Sequence, residues 1–263
     1  MHNIQINDKS YSIPSKWNEL TRIQLLYIAN LFTLEIPATD FSVIALLHFL
    51  NEKRDFLKKL TPENLRFLTT AVKFLQEKIT LAVQLLPEFK FQSTEGKQLT
   101  FTGTESGLAN LTFLEYYQAG HYFVQFTNTK AAEDLNKLCA CIYRVETRDA
   151  ARLHHDTVTE RSRSADPSNH HYFTRLPYPT RLAIYLFYTG CHNLLMAKFP
   201  EVFKSNGKGK KETEDLQFLN LINHLNDGDI TRNDKIRKAN VYEVLSLLQK
   251  QAMDAKERAA KQR

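Results

Sequence analysis

Thr21, Thr61 and Thr112 each stand directly before an apolar stripe of helical period, and each carries the chemistry that starts a helix. In Thr21-Arg22-Ile23-Gln24 and Thr112-Phe113-Leu114-Glu115 the hydroxyl can accept from the third backbone amide. The Gln or Glu side chain then reaches back, which is the reciprocal arrangement of a capping box. Thr61-Pro62-Glu63 places a capping hydroxyl, an N1 proline and an early acid in the order that opens a helix. Behind these signals run Ile23, Leu26, Tyr27, Asn30 and Leu31, then Leu65, Leu68, Val72 and Leu75, then the aromatic series Tyr116, Tyr117, Tyr122, Phe123 and Phe126. Glycine and proline number only 8 each in 263 residues, too few for a turn-dense all-β architecture. The fold this predicts is mainly α, a helical globular protein with one or two small β-hairpins.

The hairpins come from two segments whose apolar residues recur every second position. Ile4 and Ile6 alternate with Tyr11 and Ile13 across Asn7-Asp8-Lys9, and Phe89 and Phe91 face Leu99 and Phe101 across Thr94-Glu95-Gly96-Lys97. Further helices are expected from Asp40, as a cap for a run through Val43 to Leu50, and from Thr129, as a cap for the face of Ala132, Leu135, Leu138, Cys139 and Ile142. Val145 to Pro177 turns polar and reads as a long charge-balanced, mobile loop with at most one short helix. Pro179 opens a helix that is apolar nearly all round from Leu182 to Phe187, the pattern of a buried element. Thr213 caps a stripe of Leu216, Leu219, Ile222 and Leu225. A last helix starts near Val241 with Val244, Leu245 and Leu248 on its apolar face, and its polar end from Asp254 to Arg263 is expected to fray. The organisation expected is a hairpin with helices over 1–80, an irregular or hairpin connection over 81–110, and a helical segment over 111–263. That last segment carries the polar loop 145–177 and a flexible basic linker at 204–211. No linker composition marks a boundary, so one domain is also consistent with the pattern.

The formal net charge is +6, and the 60 residues from Lys204 onward supply much of the excess. That bias makes a polyanionic partner conceivable without requiring one. Cys139, Cys141 and Cys191 are an odd set in a chain large enough to fold without staples, which points to a reducing compartment. The opening MHNIQINDKS lacks a basic segment followed by an apolar one, and no uncharged run reaches membrane-spanning length. A cytoplasmic protein without membrane contact is expected.

The chemistry-bearing residues do not fall into catalytic patterns. His154-His155-Asp156, Glu160 and His170-His171 hold the ingredients of a divalent-metal site, but neighbouring histidines point apart and no helical ligand spacing occurs. A solvated loop without a structural metal is the expectation, and a metal-dependent hydrolase is the less favoured alternative. Cys139 and Cys141 leave a helix on different faces, so a buried structural role fits at least Cys139. GxxxxGK[ST], GxGxxG and GxSxG are all missing from the sequence. Arg144, Arg148, Arg152, Arg161, Arg163 and Arg175 stand among acids that cancel their field, and the Tyr116–Phe123 aromatics have the spacing of core packing. No enzyme and no cofactor is expected. Lys208, Lys210 and Lys211, with the C-terminal Lys and Arg residues, would form the patch of a nucleic-acid-binding accessory protein, the alternative reading.

Three segments in order resemble uncharacterised phage and prophage proteins of tail-gene clusters, particularly those of Bacteroidetes. The first is Ile13-Pro14-Ser15-Lys16-Trp17-Asn18-Glu19-Leu20-Thr21 with the helix behind it. The second is Leu135 to Arg144 followed by the polar loop and Leu176-Pro177. The third is Gly228-Asp229-Ile230-Thr231 with Asn240 to Leu245 and the charged terminal helix. The resemblance implies a non-catalytic role in tail morphogenesis or in the virion, as an assembly chaperone or a small baseplate component. The partners it implies are other tail proteins, such as tube, tape measure or baseplate. Val241 to Arg263 is then the expected docking element, with Val244, Leu245, Leu248, Lys250, Lys256 and Arg258 as its contact residues.

Overall fold

The computed structural model describes residues 1–6, 9–94, 96–146, 165–204, 225 and 232–261. The fold is mainly helical with two small antiparallel sheets, of two and three strands, among the described residues. The chain divides into two compact units. The first holds Met1–Leu85 and Pro177–Asn193, the second Leu86–Leu176 and Leu194–Arg263.

In the first unit β1 (His2–Ile6) pairs with β2 (Lys9–Ile13), in a register that sets Ile4 opposite Tyr11, as the alternation predicts. The hairpin is tied down by Glu52, whose Oε1 accepts from Lys9 Nζ at 2.6 Å and from the Tyr11 hydroxyl at 2.9 Å. Thr21 closes its capping box with Gln24 and starts α1 (Arg22–Leu31), while Thr61 accepts from the Asn64 amide and starts α3 (Pro62–Ala71). Between them α2 (Ala38–Leu50) corrects the sequence reading. Its N-cap is Pro37, and Asp40 lies inside the first turn, where a carboxylate still meets the positive end of the helix dipole. The core gathers around Trp17, which is fully buried, donates from Nε1 to the Phe74 carbonyl at 3.0 Å and stacks on Phe32.

Glu19 closes this unit at its surface. Its carboxylate pairs with the N-terminal ammonium and accepts from the Ser15 amide and hydroxyl, each at 2.8 Å. The ammonium first, then the two Ser15 donors, lower its pKa from the ordinary 4.5 to about 2. A depressed carboxylate pKa means that this contribution to stability is complete above the ordinary carboxylate range and is lost as pH falls towards 2. An NMR titration of the Glu19 carboxyl carbon should find a midpoint near 2, rising when the amine is acetylated. A midpoint at 4.5 would contradict the pairing.

The long helix α7 (Tyr178–Lys198) begins in the first unit and is contained in it through Asn193. Ala183, Ile184, Phe187, Tyr188 and Cys191 are buried, as its all-round apolarity predicts. Gly190 sits where the helix meets the extended chain at Leu81, so closely that a Cβ there would overlap the Leu81 backbone N, C and O atoms. Asn193 Nδ2, about one helical turn on, donates to the Ile79 carbonyl at 2.9 Å and fixes the same crossing.

The second unit is built on β3 (Glu88–Gln92), β4 (Gln98–Gly103) and β5 (Tyr143–Glu146), in the order β3-β4-β5. Phe89 lies opposite Phe101 and Phe91 opposite Leu99, as expected for the second hairpin. The third strand corrects the loop assignment. Tyr143 to Glu146 pairs with Gly103 to Thr100, so Val145 belongs to the sheet. The far end of the expected loop is structured too, through a 3-10 turn at Pro167–Asn169 and the short helix α6 (His170–Phe173). The cause is aromatic packing. Phe173 is fully buried with its ring edge-on to Phe101 at 5.4 Å, and Tyr172 lies 5.2 Å from Phe101. Residues 147–164 lie outside the described residues.

Thr112 and Glu115 close the capping box that starts α4 (Phe113–Thr129), and α4 packs against α5 (Ala132–Ile142). The N-cap of α5 is Ala131, not Thr129. Thr129 ends α4, and its hydroxyl accepts from the Ala131 amide at 3.1 Å, so it secures the joint without capping the next helix. Tyr116 is buried, while Tyr117, Tyr122 and Phe123 are half-buried. Cys139, Cys141 and Cys191 are all buried and free. The unit is completed by α8 (Pro200–Phe203), α9 (Asn233–Lys238), which the sequence reading did not anticipate, and α10 (Val241–Lys261). The helix expected from Thr213 falls outside the described residues except for Leu225, which packs partly buried against Phe113 and Val244.

Candidate interaction helix

The candidate site is α10, and its position depends on how the start of α4 is held within the second unit. Glu115 is a fully buried carboxylate that accepts from the Thr112 amide and hydroxyl, the Ala165 amide at 2.7 Å, and Arg144 Nε at 2.7 Å. Arg144 Nη2 adds a second contact, making the pair bidentate. Burial pulls the Arg144 pKa down, and the Glu115 carboxylate opposes that shift. One side chain therefore caps α4, fixes β5 and anchors the chain at Ala165.

The entry to α10 is laced onto the same region. Thr112 and Asn240 form an antiparallel bridge, with the Phe113 amide donating to the Ala239 carbonyl and the Val241 amide to the Leu111 carbonyl. Asn240 Nδ2 donates to the Ala109 carbonyl at 2.7 Å, and its Oδ1 accepts from the Tyr242 amide. The Tyr242 hydroxyl donates to the Gly107 carbonyl at 2.7 Å. Gly107 has φ +69°, and the room its missing Cβ leaves is taken by that hydroxyl. Lys198 lies 4.7 Å above the Tyr242 ring. Tyr242→Phe removes one hydrogen bond without changing the packing, so it should lower stability by about 1 kcal/mol in equilibrium denaturation. An unchanged midpoint would show that the bond is not needed to seat α10.

Beyond this junction α10 carries an apolar stripe spaced four and three residues apart: Val241, Leu245, Leu248, Ala252, Ala255 and Ala259. Its first half is seated. Val241, Val244 and Leu245 are buried, and Leu248 packs against the Phe113–Val244 cluster. Its second half leaves the body, since Ala255 and Ala259 are exposed. Midway, Glu201 of α8 holds the helix, its carboxylate accepting from Lys256 and its backbone amide donating to Gln249 Oε1 at 2.9 Å.

These positions divide the expected contact residues. Val244 and Leu245 are buried and Leu248 is half-buried, so they seat α10 on its own unit and present little surface to a partner. Lys256 is paired with Glu201, while Lys250 and Arg258 are exposed. The helix continues to Lys261 where the sequence pattern suggests fraying. Exposed apolar groups that the sequence reading missed include Leu247, 45% exposed, Met253, 55% exposed, and the alanines at 255 and 259. Alanines carry little hydrophobic signal, and only the four-three spacing continued from Val241 singles them out.

Lys208, Lys210 and Lys211 lie outside the described residues, as do His154, His155, Asp156 and Glu160. His170 and His171 direct their Nδ1 atoms to the Pro167 and Ser168 carbonyls, each at 3.0 Å. Among the described residues no three His, Cys, Asp or Glu side chains come together as a metal group. Burial pushes the Cys141 thiol pKa well up, which disfavours the nucleophilic thiolate. Among the described residues no helix is long and apolar enough to cross a membrane. The chain matches no protein-family model, no curated protein and no solved structure.

Proposed function

We propose that this chain is a non-catalytic phage-tail assembly protein that works through protein–protein contacts in the host cytoplasm, with the distal half of α10 as its docking element. The observation that carries the reading is the apolar stripe of α10, seated on the second unit as far as Leu248 and continuing in register into the exposed Ala255 and Ala259. A stripe that serves only the body has no need to keep its spacing beyond it. Small side chains on such a seam let a second helix approach to the short end of the usual interaxial range of about 8–10 Å. The order of the three segments that resemble tail-cluster proteins supplies the tail context.

The test is co-purification with the products of neighbouring tail genes, using the full chain and a truncation after Lys250. Among the described residues the truncation removes exposed or partly exposed turns, the Gln249–Met253 contact and the Lys256–Glu201 pair, a partly exposed ion pair whose loss should cost the fold at most about 1 kcal/mol. The full chain should retain a tail-protein partner, and the truncation should weaken binding at least about tenfold, equivalent to 1.4 kcal/mol. Equal recovery by both removes α10 from the mechanism. Failure of both to retain a tail protein contradicts the assembly reading itself.

A further inference from the structure

We draw no further inference here: the strongest candidate, the exposed apolar surface of Phe32 and Leu34 beside Trp17 in the first unit, carries nothing because nothing in the structure shows what covers it.

Discussion

Replacing Glu115 by alanine should destabilise the second unit by about 3–5 kcal/mol, the usual cost of leaving one charge of a buried pair uncompensated. The change strands the Arg144 guanidinium in a site where it is 7% exposed, opens the capping box at Thr112 and leaves the Ala165 amide without its acceptor. Against a typical total stability of about 5–15 kcal/mol, that is a large fraction. The pair itself need not be strongly stabilising, because both ions lose their water on burial. The combined change Glu115→Gln with Arg144→Met keeps a capping-box residue at position 115 and removes both charges, so it should recover most of the loss. Denaturant titration of Glu115→Gln, Arg144→Met and the combined variant against the parent closes the cycle and gives the coupling directly. A Glu115→Ala variant within about 1 kcal/mol of the parent would show that the cluster is not the anchor of this unit.

Gly190→Ala tests the first unit in a way that helix propensity alone would mispredict. In an exposed helix interior this substitution is favourable by about 1 kcal/mol. Here the new methyl overlaps the backbone of Leu81, and backbone cannot rotate away as a side chain can. Overpacking of this kind costs about 1–3 kcal/mol, and the Asn193–Ile79 hydrogen bond beside it leaves little freedom for the segment to retreat. The expected result is a lowered denaturation midpoint and a disturbed Asn193 side-chain amide resonance. A stabilised variant would mean that Leu81 does not cross α7 at Gly190.

The contrast between these two residues also shows what a sequence alone reveals. Glu115 is legible as a capping-box residue because Thr112 is three positions away, and the box forms as expected. Its pairing with Arg144 is 29 residues distant in sequence, and no local pattern encodes it. Gly190 reads as an unremarked helical glycine, since its requirement comes from the irregular segment at Leu81, more than 100 residues earlier. The same distinction explains the corrections. Tyr143 to Glu146 follows α5 with no turn signal, so only its pairing with β4 makes it a strand. Tyr172 and Phe173 stand alone in a polar stretch, yet the sheet aromatics give them a core to enter. In the sequence the candidate helix is marked by its large apolar residues, which bind it to its own unit. The exposed part of its stripe is hard to see in the sequence because alanine scarcely marks a face.

The most direct measurement of the docking proposal is site-specific photocrosslinking from α10 during co-expression with the neighbouring tail genes. A photoreactive residue placed at Ala255 or Ala259 should form an adduct with one tail protein. The same residue at Lys58, an exposed position of the first unit, should form none. The absence of an adduct from both α10 positions, or equal adducts from Lys58, would contradict the account.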